Sequence, residues 1–600
     1  MQTRAGWRFL QRDDWRQCFL SYILLTLWCI PLFLKSDMYG ILDWDWFTSY
    51  FYAVRESVIG YGQFPGYNPW MSLGSPLWAN PQIGPVSYLT PFVLVLGPVT
   101  GLKWGLWFGY LLSFEGGRAL GRHLFRTKEA AIIAGLLFAL NGALAAHLVM
   151  GHFCFAAYPL SAWLILFFLN MHDDPKASLY AGLTAGLMVH IGLHYYVVYI
   201  FLFCAMLAAY QTLKTKKWWV TLQFSGLFLL CFFFVASIRL FPILSVMSDF
   251  PRSISLPYAL NLDILWRMFL IPAVGPAQTW LTLPYQGQLF RVSGCEFYAF
   301  AGYITLLLSL FSLRKGIKFF HVGAGLSFLL TLGNTAFWLP SSWLSHIPPF
   351  RSMWVFTRWR VLLLACLALC AAHAIDILLQ EREEASSLRW WKIAVWLAPL
   401  ELIVLLMPGW YQHVLTTHFP NVSRTSLKLP QTKHMLSKRR MLYRKGGLPT
   451  YYALFRENIG VVGGYEPLFG YGPTRSIRWY TEHPSYKGEY TVDGKRPVQP
   501  TYWSPNHIQF SGLPAGHFLL INLNPGKGWQ RNGEPIFTKL KSFALRRHFA
   551  VKIPASGKID LRYRPPGLTS GLWVTMLCGL IGLLLWLRQR KQGTEPTPSA

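Results

Sequence analysis

The sequence predicts a mainly α-helical polytopic membrane protein of about 12 transmembrane helices, with an extracytoplasmic, β-rich and sandwich-like domain before the last helix. Three observations predict it. Of 600 residues, 53% are apolar and only 14% are charged, against about 25% charged in an ordinary globular chain. The apolar residues gather into runs of about 20, the length that spans a hydrocarbon core of roughly 30 Å. Lys and Arg collect in alternate loops, as cytoplasmic anchors do. A soluble cytosolic enzyme, a secreted domain and a disordered scaffold are excluded.

Span 1, residues 19–34, follows the basic series Arg4, Arg8, Arg12 and Arg16 and lacks a small-residue cleavage site. It reads as an uncleaved anchor. A large first outer loop, 36–85, leads to an apolar piece at 86–96 interrupted by Pro85, Pro91 and Pro98. That piece is too short to span and reads as an interfacial or re-entrant segment. Span 2, 102–120, ends in Arg118, Arg122, His123, Arg126 and Lys128, which face the cytoplasm only if 86–96 does not cross.

Spans 3 and 4 (130–149, 153–169) meet outside at Gly151-His152, and spans 5 and 6 (179–191, 195–209) meet there near His194. Span 7 (219–240) exits to an outer loop, 242–295. Spans 8 and 9 (297–313, 319–338) flank the inner Arg314, Lys315 and Lys318. Another outer loop, 340–359, precedes span 10 (361–379). Inner Arg382, Arg389 and Lys392 precede span 11 (393–407), and span 12 (572–587) ends in Arg588, Arg590 and Lys591. Both termini are then cytoplasmic. The domains are 1–408 in the membrane, 409–567 outside it, and 568–600 as last helix and tail.

The outer domain shows strand alternation at Ile508 and Phe510, then at 518–523. Phe549, Val551 and Ile553 alternate before the turn Pro554-Ala555-Ser556-Gly557, and Ile559, Leu561 and Tyr563 after it. This predicts a hairpin within a small antiparallel sandwich. Residues 411–566 hold 24 Lys and Arg against 7 Asp and Glu, or +17 of the total +29. An anionic envelope polymer or lipid surface is the simplest partner, and a solvated basic face without a specific partner explains it equally well. No Gly-rich phosphate loop, zinc-type Cys/His array or RNA-binding aromatic signature is present, so nucleic acid is not expected. The nine cysteines lie mostly inside apolar runs and form no disulfide framework.

Chemistry concentrates in the first outer loop. Asp43-Trp44-Asp45-Trp46 leads into Phe47, Tyr50, Phe51, Val54, Val58 and Tyr61 at helical spacing, so 46–59 reads as an amphipathic helix lying in the headgroup layer. Two carboxylates beside aromatic rings suit proton abstraction from a sugar hydroxyl, because partial desolvation raises a carboxylate toward the range of a general base. Capping of the following helix is the competing role. On a helix, residues two apart diverge, and then one acid alone reaches the reacting centre.

His152 and His194 fall on the same side as the acids. No cofactor is fixed; a divalent cation, Mg or Mn, is the one candidate, held by Asp43, Asp45 and His152 or by His152 with His194, and hydrogen-bonded interface residues are the competing role of the two histidines. Arg351, Arg358 and Arg360 are placed to grip a lipid phosphate or to snorkel to headgroups. Glu115 and Arg118 form a helix pair, whereas Glu401 falls within span 11 without an evident partner.

The series Asp43-Trp-Asp45, Arg55, Gly62-Gln-Phe-Pro65, Asn68-Pro69-Trp70, Gly74-Ser-Pro-Leu77 and Ala79-Asn80-Pro81-Gln82 resembles the YfhO-type family of bacterial membrane proteins, which belongs with the GT-C glycosyltransferases. Asn141-Gly142, Gly151-His152, Tyr303, Arg351, Arg358, Gly464 to Leu468, Pro525 to Trp529 and Tyr563 to Pro566 extend the resemblance over most of the chain from Asp43 onward.

The resemblance implies a GT-C-like transmembrane domain in a bacterial inner or plasma membrane. It also implies transfer, with inversion, of a sugar from a polyprenyl-phosphate carrier to an extracytoplasmic envelope glycolipid or polymer, with Asp43 or Asp45 as general base. Arg55, Asn68, Asn80, Gln82, His152, His194, Arg351, Arg358 and Arg360 become its substrate- or phosphate-binding residues. Position agrees: nucleotide sugars are absent outside, so an activated sugar must arrive on a lipid. The alternatives are a transporter or flippase of lipid-linked saccharides, for which no internal repeat is found, and a non-catalytic envelope scaffold.

Overall fold

Hydrocarbon offers a backbone no hydrogen-bond partner, so an apolar run there folds as a helix. The computed structural model describes residues 15–36, 38–40, 43–193, 195–250, 260, 262–273, 281–285, 288–292, 296–314, 318–333, 335–347, 350–352, 355–381, 388–418, 433–436, 451–462, 486–536 and 549–592. Its helices begin with α1 (Trp15–Leu34), α2 (Asp43–Arg55), α3 (Thr90–Leu96), α4 (Pro98–Leu124), α5 (Lys128–Ala139), α6 (Gly142–Val149) and α7 (Ser161–Leu169). Next come α8 (Lys176–Ile191), α9 (Tyr195–Thr215), α10 (Trp218–Asp249), α11 (Leu262–Leu270), α12 (Tyr303–Phe311) and α13 (Lys318–Thr331). The last are α14 (Pro340–Leu344), α15 (Arg360–Gln380), α16 (Leu388–Ala394), α17 (Leu397–His413), α18 (Tyr451–Arg456) and α19 (Leu568–Gln592).

Among the described residues, seven helical stretches are long and apolar enough to cross a membrane: Arg16–Leu34, Lys128–Val149, Tyr195–Thr215, Trp218–Asp249, Phe356–Gln380, Trp390–His413 and Leu568–Arg588. That fits a polytopic membrane protein, and the seven coincide with expected spans 1, 3, 6, 7, 10, 11 and 12. The other expected spans are also helical, but shorter or more charged. Span 2 is α4, carrying Lys103, Glu115, Arg118 and Arg122. Span 4 begins as the 3-10 helix Phe153–Leu160 before α7, span 5 is α8, and spans 8 and 9 reduce to α12 and α13.

The Pro-interrupted piece at 86–96 doubles back along α4. Gly101, Gly105 and Gly109 form a stripe on α4, and a methyl on any of them would strike Val93, Leu89 or Tyr88. Small residues at fourfold spacing let the backbones approach this closely.

Breaks in the helices are answered by polar side chains. Asn141, between α5 and α6, accepts from Leu144 N at 3.1 Å and donates to Tyr158 Oη and Val361 O at 3.2 and 3.0 Å. Glu401 accepts from Tyr303 N and Ile304 N at 3.0 Å each, capping α12. This gives it the partner that the sequence does not show. Buried Lys103 donates to the carbonyls of Lys35 and Ser36 just past α1, at 2.7 and 3.1 Å. Arg239 on α10 is fully buried and donates to the carbonyls of Trp78, Asn80, Ile83 and Val189. It thereby pins the end of the first loop into the bundle.

Strand alternation does produce a sandwich. A four-stranded sheet runs Arg496–Pro497, Tyr490–Val492, Phe518–Ile521, Phe549–Lys552, and a five-stranded sheet runs Tyr502–Ser504, His507–Phe510, Ile559–Tyr563, Trp529–Arg531, Glu534–Pro535. All pairings within them are antiparallel. The sheets meet through Tyr490 against Phe510 and Trp529 against Phe549, with ring centroids 5.2 and 5.7 Å apart.

The expected hairpin is not formed. Leu519 pairs with Val551, whereas Leu561 pairs with Ile508. The Pro554 to Gly557 turn therefore carries the chain from one sheet to the other.

The expected interfacial helix is also corrected. In α2 every residue from Trp44 to Val54 is buried, including Thr48 and Ser49 on the polar side. Trp44 packs on Phe153 of the bundle at 4.7 Å, and Tyr52 packs on Trp70 and Tyr452 at 5.8 and 5.9 Å. The loop after α2 joins bundle to sandwich. Asn506 accepts from Tyr67 N at 2.9 Å and donates to Phe64 O at 2.7 Å, and Asn524 donates to Ser72 O and Gly74 O at 2.6 and 2.9 Å.

Replacing Arg239 with Met would leave buried carbonyls without their donor, each a penalty of about 1–3 kcal/mol. We expect thermal unfolding of the purified chain to show a loss of at least about 2 kcal/mol. An unchanged melting temperature would contradict the pinning role.

Candidate functional site

The first turn of α2 carries Asp43, and a tight loop brings His152 beside it. Gly151 has φ +80°, and a Cβ there would run into the Asp43–Trp44 backbone, so glycine is required for the approach. Trp44 Nε1 donates to Leu148 O at 2.8 Å and locks the two segments. His152 Nε2 then lies 3.3 Å from Asp43 Oδ2.

Behind this pair, His152 Nδ1 meets His147 Nδ1 at 2.8 Å, and His147 Nε2 meets Arg360 Nη2 at 2.9 Å. These contacts fix the tautomers. A guanidinium only donates, so His147 Nε2 accepts and its proton sits on Nδ1. His147 Nδ1–H donates to His152 Nδ1, leaving the His152 proton on Nε2, directed at Asp43. Arg360 is itself held by the carbonyls of Tyr298 and Thr357 at 2.8 and 3.0 Å. Glu296 closes the cluster. Arg358 donates to it through Nε at 3.0 Å and Nη2 at 2.5 Å, and stacks over Tyr195 at 4.9 Å.

Charge states follow from the surroundings. Burial pushes Asp43 up to about 7; Arg358 pulls part of the way back and Glu296 adds to the rise. Burial pushes His152 down to about 4, with Glu296 opposing and the two arginines assisting, so it is neutral near pH 7. Burial alone would raise Glu296, but the Arg358 charge and hydrogen bond outweigh it and hold Glu296 at about 2. The Asp43 side chain is 27% exposed, against 7% for Glu296 and none for His147. The accessible end of the chain of contacts is therefore the Asp43 carboxylate, poised near neutrality.

The two acids of the first loop diverge, as helical geometry requires. Asp45 accepts from Tyr451 N and Tyr452 N at 2.8 and 3.1 Å, capping α18 away from His152. Its expected place as base or metal ligand beside Asp43 is corrected accordingly. The cation set Asp43, Asp45 and His152 does not converge.

A different group, His147, His152 and Glu296, has potential ligand atoms within 4.8 Å of one another. Its donors do not fit a divalent cation: Arg360 holds one imidazole, the imidazoles bond each other, and two guanidiniums would repel added positive charge.

The phosphate roles are also revised. Arg358 has Nε and Nη2 on Glu296, and Arg360 serves carbonyls and His147, so both guanidiniums are engaged with the protein. Arg351 is exposed on the 3-10 helix Phe350–Ser352. Asn68 and Asn80 accept locally from Trp70 N and Gln82 N at 3.1 and 3.0 Å, which fixes turns rather than a ligand. Gln82 follows in the same turn. Arg55 is twelve residues from Asp43 on α2, about 18 Å along the axis. His194 lies outside the described residues.

His147 and Glu296 were missed by sequence reasoning. His147 stands inside an apolar run, and Glu296 is a lone acid 144 residues after His152; only folding makes them neighbours. The chain matches no protein-family model, and no curated protein or solved structure is detectably similar to it.

Glu296→Gln removes a charge that raises Asp43 and leaves Arg358, which lowers it, uncompensated. The Asp43 carboxyl should then titrate below about 7, read as the infrared carboxyl band lost in Asp43→Asn. A midpoint that stays put would sink this electrostatic account.

Proposed function

We propose that the chain is a GT-C-like membrane glycosyltransferase that moves a hexosyl group from a polyprenyl-phosphate carrier to an extracytoplasmic envelope glycolipid or polymer. The observation that carries the reading is Asp43: a partly open carboxylate near its titration point, held by His152, which His147 and the Arg360 guanidinium brace from behind. In this reading the chain crosses a bacterial plasma membrane twelve times with both termini in the cytoplasm. The sandwich and the Asp43 end of the bundle then face outward, and 86–96 is re-entrant.

Ionised Asp43 takes the proton of an acceptor hydroxyl while His152 Nε2–H orients the carboxylate. The acceptor oxygen bonds to the anomeric carbon as the bond from that carbon to the carrier phosphate oxygen breaks. The electron pair leaves on the phosphate, through an oxocarbenium-like centre and with inversion. With Arg358 and Arg360 committed to the protein, the exposed Arg351 is the cation of that segment left to meet the departing phosphate. The histidine chain acts as a positioning device, keeping the proton of His152 on the nitrogen that faces Asp43.

Asp43→Asn should abolish transfer from polyprenyl-phosphate hexoses in proteoliposomes, a loss of about 10²-fold or more, at unchanged protein yield. Because the base must be ionised, the wild-type rate should rise with pH through about 7. Asp45→Asn should keep transfer and lower the melting temperature instead. Full activity in Asp43→Asn would remove the catalytic assignment.

A further inference from the structure

The far end of α2 borders a second feature, independent of the transferase reading. Immediately after Arg55 the helix widens into a π-helix, Glu56–Gly60, an irregularity frequent at functional sites. Beside it opens a cavity of about 440 Å³ lined by Tyr52, Arg55 and Glu56, the α3–α4 turn at 95–100, and Tyr452 and Arg456 of α18. Ligand pockets run from roughly 300 to 1,000 Å³. Its charged side chains are two guanidiniums and one carboxylate, net +1. Arg55 Nη1 lies 3.8 Å from Glu56 Oε1, its Nε donates to Leu94 O at 3.3 Å, and the Arg456 guanidinium lies 5.8 Å from the Tyr452 ring.

One wall is apolar and opens outward: Val95 is 79% exposed and Leu96 44%. Both sit at the tip of the α3–α4 hairpin, between helices of a bundle suited to a membrane. A cationic pocket meeting an exposed apolar tip matches an amphiphile with an anionic head. Guanidinium groups favour phosphate oxygens over other acceptors because the fork fits them bidentately.

We propose that this cavity binds the phosphate ester of an anionic lipid headgroup, with the acyl chains running over Val95 and Leu96. The site lies about 18 Å along α2 from Asp43, too far for its phosphate to be the group displaced there. Asp45 belongs to this arrangement: it caps the start of α18, the helix that carries Arg456 into the cavity lining.

The test needs no sugar transfer, so it can fail while the transferase reading stands, and the reverse. The full chain in neutral detergent is titrated with dihexanoyl phosphatidic acid, dihexanoyl phosphatidylcholine and inorganic phosphate separately, and bound species are counted by native mass spectrometry. Phosphatidic acid should bind with one equivalent, and Arg55→Gln/Arg456→Gln should weaken it at least tenfold. Thr100→Trp, which fills the cavity and spares both arginines, should weaken it similarly and covers the case in which the double variant misfolds. Inorganic phosphate binding as tightly as the lipid would support the phosphate chemistry while assigning a water-soluble source. Equal binding of phosphatidylcholine, no binding of any probe, or unchanged affinity in Thr100→Trp would overturn the proposal.

Discussion

A backbone carbonyl or amide that leaves the helical ladder in apolar surroundings must find a partner or bear the full cost of desolvation. Most of the unexpected polar chemistry in this chain follows from that constraint. The loop after α2 enters the bundle as irregular backbone, and Arg239 meets it with a guanidinium aimed at carbonyls alone. Lys103 does the same past α1, Glu401 for the first amides of α12, and Asn141 for the break between α5 and α6. Charged and amide side chains here serve as secondary structure by other means. A membrane helix that carries one is a helix with a neighbour to complete.

Seen this way, the part of the site legible in sequence and the part that was not divide on physical grounds. Asp43 and His152 were singled out as an acid and an imidazole flanking apolar runs, and the fold does bring them together, at 3.3 Å. Arg358, Arg360, Asn68, Asn80 and Asp45 had competing uses. A guanidinium fork fits a carboxylate as well as a phosphate, and an Asn before a Pro accepts from its own turn as readily as from a sugar. No spacing rule separates those alternatives. Glu296 shows the converse: a single acid beside an apolar run carries no pattern, yet it holds Arg358 in place and helps to hold Asp43 near neutrality.

The fold divides likewise. Runs of about 20 apolar residues specified helices, since length and hydropathy act locally. Pairing is not local. Phe549 to Ile553 and Ile559 to Tyr563 alternate equally well whether they face each other across a turn or lie in opposite sheets, because alternation reports one buried face and says nothing about the neighbour. For α2 the error came from the second layer. Thr48 and Ser49 made one side of the helix polar, and a polar side normally means water or headgroups. Here it is buried inside the protein, which the period of one helix has no means of announcing.

Burying α2 on all sides has a mechanical consequence. A helix free on one face tilts and rotates with its surroundings, whereas α2 is gripped by the bundle at Trp44 and by the loop and α18 at Tyr52. Its two acids leave the first turn in different directions, so one rigid rotation angle fixes both what Asp43 faces and where α18 begins. Any shift that improved Asp45's cap would move Asp43 against His152, whose position is set by Arg360 through His147. The local sequence Asp-Trp-Asp-Trp thus couples a candidate reacting carboxylate to the seating of α18. The coupling is rigid because the tryptophan between the acids is hydrogen-bonded to the same segment that supplies the histidine.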